Sequence, residues 1–139
     1  MHARSLQLHA SMLRVVAPVF VVVALLHLAL GVRADVLLGA QVPELLLVEP
    51  SLNSQNRFYG VSFALYGVLF WIGAGDLRRY RVVLAATWWM FLAGGISRLY
   101  AWLADGPPSG WIIALTVVEL VLPPLMLLWQ RQVLATDAP

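Results

Sequence analysis

The sequence predicts an all-α integral membrane protein: a bundle of four transmembrane helices with both termini on the cytoplasmic side. Three observations carry this. The 139 residues are 61% hydrophobic and only 12% charged, with a mean hydropathy of +0.82; a soluble domain usually carries about 25% charged residues. The apolar residues fall into four long runs, each close to the roughly 20 residues that cross a hydrocarbon core. Four crossings would place Arg4, Arg14, Arg78, Arg79, Arg81 and Arg131 on one side, against Arg33 and Arg57 on the other. Basic short loops stay in the cytoplasm, so that asymmetry orients the bundle in a cell inner (plasma) membrane.

Composition also excludes chemistry. There is no cysteine, so disulfides, thiol catalysis and cysteine metal sites are ruled out. All nine basic residues are arginine, which removes a Schiff-base or phosphate-loop lysine. The pI near 9.5 comes without a dense basic patch, so nucleic acid is not an expected partner. His2, His9 and His27 are not spaced for a metal. No cofactor is expected, and 1–139 reads as one domain.

The first span is expected at 12–32, after a short polar tail. Arg4 and Arg14 ahead of an apolar run, followed by Val32-Arg33-Ala34, also look like a cleavable leader. The run exceeds the usual leader core of about 7–15 residues, which favours a retained helix. Pro18 falls in its first turns, and His27 is the only imidazole inside a span. The outer loop, 33–53, is partly apolar, with Pro43 and Pro50 bracketing Glu44–Glu49. It is expected to lie at the interface, as a linker or a binding loop with a short strand or helical turn.

The second span is expected at 54–75, capped by Asn53 or Ser54. Arg57, Gly60, Ala64 and Gly67 share one stripe, and small residues on a stripe let another backbone approach. Tyr59, Phe63, Tyr66 and Phe70 form another, read as packing. The basic turn Asp76–Arg81 leads to the third span, 82–103, where Thr87, Gly94 and Ala101 form a small-residue seam. The turn Asp105–Gly110 leads to the fourth span, 111–129, with a tryptophan at each end.

Two ionisable residues lie within these last spans, Arg98 and Glu119. Counted from the Asp105–Gly110 turn at about 1.5 Å per residue, they lie roughly 10 Å and 13 Å deep. An antiparallel hairpin can therefore pair them, and intramembrane charges usually do pair. Pro123 removes the helical hydrogen bond to the carbonyl of Glu119, and Pro124 the one to Leu120. The freed acceptors beside a carboxylate suit a guanidinium. His27, Arg98 and Glu119 all fall in the outer half, with Arg57 above them and Tyr100 nearby. These five are the candidate ligand-binding residues.

Asn56-Arg57-Phe58-Tyr59-Gly60, Gly95-Ile96-Ser97-Arg98 and Asp105-Gly106-Pro107-Pro108, with Glu119 in the fourth span, resemble a family of small bacterial four-span membrane proteins. That family is catalogued only as a domain of unknown function. The resemblance implies the four-span fold, carries over Arg57, Arg98 and Glu119 as site residues, and supplies no reaction.

Three functions fit. The first is a structural or interaction role in which the Arg98–Glu119 pair fixes helix register, with a membrane-protein partner or a second copy. The second is a carrier for a hydrophobic small molecule or lipid, its anionic head at Arg98 and Arg57 and its tail on the aromatic stripes. The third is an intramembrane isomerase- or hydrolase-like enzyme using Glu119 as its acid–base group. The bilayer is a partner in all three. The sequence leaves enzyme or non-enzyme open.

Overall fold

The computed structural model describes residues 2–135, with side chains from Arg4 onwards. Six helices follow one another: α1 (His2–Leu30), α2 (Val32–Leu37), α3 (Glu44–Leu47), α4 (Pro50–Gly73), α5 (Arg81–Asp105) and α6 (Gly110–Ala135). No strand occurs among the described residues. Among the described residues, three helices are long and apolar enough to cross a membrane: Arg4–Leu30, Arg81–Asp105 and Gly110–Ala135. α4, at 24 residues, is nearly as long as these but carries the polar run Asn53–Arg57 in its first turns.

The long helices form two antiparallel hairpins, α1 with α4 and α5 with α6. Glycine decides the first. A Cβ on Gly67 would lie 2.7 Å from the carbonyl oxygen of Ala17, and one on Gly60 would lie 2.9 Å from His27 Cβ. The Gly60–Gly67 stripe therefore faces α1, as its spacing suggests, and the two backbones meet through it. In the second hairpin a Cβ on Gly95 would lie 2.8 Å from Glu119 Cβ.

The hairpins join at the end that holds the described chain ends and the Asp76–Arg81 turn. The core there comprises Leu13, Ala17 and Phe20 of α1, Phe70 of α4, Ala74 and Leu77 of the turn region, Leu84 and Trp88 of α5, and Met126 and Leu127 of α6. Phe70 packs on Trp88 at 4.4 Å between ring centres. Trp129 donates to the Ser5 hydroxyl at 3.2 Å and lies 4.7 Å from the His9 ring. Gln130 donates to the carbonyl of Arg81 at 2.7 Å. The turn is closed by Asp76, whose carboxylate accepts from the N–H groups of Arg78 and Arg79 at 3.1 and 3.0 Å.

The opposite end departs from the sequence expectations. α4 starts at Pro50, not at Ser54, and its N-cap is Glu49. Glu49 accepts from Ser51 N–H at 3.1 Å and Leu52 N–H at 2.6 Å, so a proline at N1 follows a carboxylate cap. Asn53 is no cap. Its side chain accepts from Val32 N–H at 3.2 Å and donates to the carbonyls of Leu47 and Glu49, both at 3.0 Å. One amide thus ties the starts of α2 and α4 to the end of α3. The loop expected at 33–53 holds two short helices and no strand. Gly31, at φ +57°, breaks α1 from α2 in a conformation that favours glycine.

The small-residue seam expected on α5 is not continuous in its surroundings. Thr87 is buried and returns its hydroxyl to the carbonyl of Val83 at 2.8 Å, whereas a Cβ on Gly94 would meet nothing within 4 Å. Pro18, Pro123 and Pro124 are accommodated without ending their helices.

Candidate functional site

The candidate residues fall into two polar groups, one per hairpin. Between α5 and α6, Arg98 Nε stands 2.8 Å from Glu119 Oε2. The Glu119 side chain is buried at 8% exposure, while that of Arg98 is 36% exposed. The carboxylate is brought to the hairpin interface because Gly95, one turn before Arg98, lets α6 approach as closely as it does. The carbonyl that Pro123 frees at Glu119 points towards that same glycine, since a Cβ there would lie 3.1 Å from its oxygen. Arg98 reaches the carboxylate and no freed carbonyl, so the expected acceptor cluster narrows to one oxygen.

On the first hairpin, His27 is 7% exposed at the interface of α1 and α4. Its Nδ1 lies 2.8 Å from the carbonyl of Val23 and its Nε2 lies 3.3 Å from Asp35 Oδ1. A carbonyl cannot donate, so Nδ1 carries a proton. Nε2 then faces a carboxylate oxygen of Asp35, across the Gly31 break. Phe63 lies parallel to it at 6.2 Å and 3°. Asn56 donates to the other oxygen of Asp35. Arg57 donates its Nε to the carbonyl of Leu28 at 3.0 Å, spanning the last turn of α1.

The structure therefore separates what the sequence groups together. His27 and Arg57 belong to the α1–α4 hairpin, and Arg98 and Glu119 to the α5–α6 hairpin. Among the described residues no hydrogen bond or ion pair joins the two sets. Phe20, Phe63, Tyr66 and Phe91 stand between the hairpins. Tyr100 joins neither set. It is 73% exposed, two residues and so about 200° around α5 from Arg98. Among the described residues no group of three or more histidine or carboxylate side chains could hold a metal.

Asp35 and Asn56 are the polar residues that the sequence reading left without a role at the site. Asp35 lies eight residues beyond His27, across the Gly31 break. Helical spacing cannot align the two residues, and no other signal in the sequence marks them as partners.

The family described as Domain of unknown function (DUF4345) matches residues 8–130. The chain belongs to that family. The match runs from within the first helix to within the fourth long one and takes in both polar groups, and the family is one of unknown function. No curated protein and no solved structure matches the chain.

Proposed function

We propose that this member of the DUF4345 family is a four-span protein of the inner (plasma) membrane with a structural or interaction role. The Arg98–Glu119 ion pair fixes the register of its second hairpin. α4 is the fourth span, since it lies along α1 through Gly60 and Gly67. The described chain ends and the arginine-rich Asp76–Arg81 turn share one end of the bundle, and the positive-inside rule assigns that end to the cytoplasm. The partner is another membrane protein or a second copy.

The observation that carries this reading is the 2.8 Å contact between Arg98 and Glu119. His27 and the Nε of Arg57 likewise each bind a backbone carbonyl of α1, and Tyr100 faces away from both polar groups. A carrier would keep Arg98 free for an anionic head, and an enzyme would keep Glu119 free for a substrate proton.

The test is a thermal-stability cycle in detergent on Arg98→Met, Glu119→Leu and the double variant. Each single change leaves an unpartnered group and should cost about 2 kcal/mol, less than a fully buried pair because Arg98 is 36% exposed. The double variant should lose less than either. Additive losses would overturn the pairing and the reading with it.

A further inference from the structure

Two cavities lie on the same face of the α1–α4 hairpin. The first, about 770 Å³, opens at the loop end and is lined by Arg33, Arg57, Asn53 and Ser54 over a floor that includes Leu30 and Val48. No acidic side chain lines it. The second, about 360 Å³, is a groove further along the hairpin, walled by Pro18, Val22, Val68, Trp71 and other apolar residues, with no polar side chain.

Their alignment follows from helical spacing. Pro18, Val22, Leu25 and Ala29 repeat along one face of α1, and Arg57, Val61, Val68 and Ile72 along one face of α4. The residues between the cavities face outwards: Leu25 is 58% exposed and Val61 54%. An apolar track thus runs from the groove to the two arginines. Arg57 to Val68 along α4 is roughly 16 Å at about 1.5 Å per residue, close to half of a hydrocarbon core about 30 Å thick. Arg57 sits level with the last turn of α1, where it binds Leu28, so its charge lies where a span ends and headgroups begin. Its Nε is used by Leu28; among the described residues its two terminal nitrogens make no hydrogen bond, and the Arg33 side chain makes none.

We propose that this face binds an amphiphile with an anionic phosphate head. The phosphate sits between Arg33 and Arg57, and one apolar tail runs along the α1–α4 seam into the groove at Val22 and Val68. Guanidinium pairs recognise phosphate through charge-assisted hydrogen bonds. The groove selects an amphiphile over a free phosphate ion. The site is independent of the Arg98–Glu119 pair.

The full-length protein tests this by native mass spectrometry after titration with phosphatidylglycerol, with phosphatidylcholine and with inorganic phosphate, beside melting curves. Phosphatidylglycerol should be retained at least about tenfold better than phosphatidylcholine, whose head has no net charge. Arg33→Gln removes one guanidinium without touching a described contact, and should abolish that preference at unchanged melting temperature. Val22→Trp fills the groove, and should weaken both lipids. Arg57→Gln is read only beside Arg33→Gln, because it also removes the bond to Leu28. Equal retention of both lipids, or a preference that survives Arg33→Gln, overturns the head site. Protection by inorganic phosphate that is indifferent to Val22→Trp overturns the amphiphile, as does a dimer mass that displaces the lipid.

Discussion

At the scale of single residues, neighbours of one chemical type do different work. Gly94 and Gly95 are adjacent, yet a Cβ on Gly95 would press on the backbone of Glu119 while one on Gly94 would meet nothing within 4 Å. Gly95→Ala should therefore destabilise the protein by about 1–3 kcal/mol, through overpacking against a backbone that cannot step aside. Gly94→Ala should be neutral or slightly stabilising, because it only improves helix propensity. Melting curves of the two variants in one detergent decide the matter, and equal effects would show that α5 and α6 do not meet at Gly95. The sequence shows both glycines and the arginine after them, but not the rotation of α5 that separates them. It likewise shows Arg98 and Glu119 at matching depth, because a tight turn sets depth. It cannot show that Tyr100 faces away, because nothing in an apolar run marks its lipid side. Asn53 is visible as a polar residue near a helix start; the three segments that it ties are brought together only by the fold.

At the scale of the element, α4 depends on its first turn. Glu49 holds two otherwise unpaired N–H groups, and the N–H of Leu52, then that of Ser51, keep its carboxyl below the usual carboxylate range. A folded pKa below the unfolded one adds stability that is present above the unfolded value, about 4.3, and is lost as pH falls through the folded value. Glu49→Gln should therefore melt below the wild type at pH 7, and the gap should close as pH drops below about 4. A gap that stays constant with pH would deny the cap its charge. The long helices were readable from runs of apolar residues, and three of those described are long and apolar enough to cross a membrane. The ends of those helices were not: α4 begins four residues before its expected start, since Ser51–Asn53 read as loop until a carboxylate cap and an N1 proline are seen together.

At the scale of the whole molecule, two hairpins are held by a core confined to one end. Trp88 is its centre: fully buried, on Phe70 at 4.4 Å and near Phe91 at 6.3 Å. Trp88→Ala should cost about 3 kcal/mol or more, as large buried aromatics do, and should loosen one hairpin from the other. Trp89→Ala removes a ring that is 55% exposed and should change melting by less than about 0.5 kcal/mol. Similar losses from the two would place the junction elsewhere. The sequence names both tryptophans as a pair; only the crossing of α4 and α5 tells them apart. The bond between Ser5 and Trp129 joins residues 124 apart, and this bears on how the protein is made. A ribosome delivers α1 and α4 before α6, so the first hairpin forms while its inward face still lacks the second. For Leu13 and Phe70 the delay is harmless, because lipid tails are as apolar as the neighbours to come. Ser5 and His9 meet their indole only after α6 has been made as far as Trp129. Closing that contact thus comes after all four long helices have been made, and a chain cut short before Trp129 would lack it.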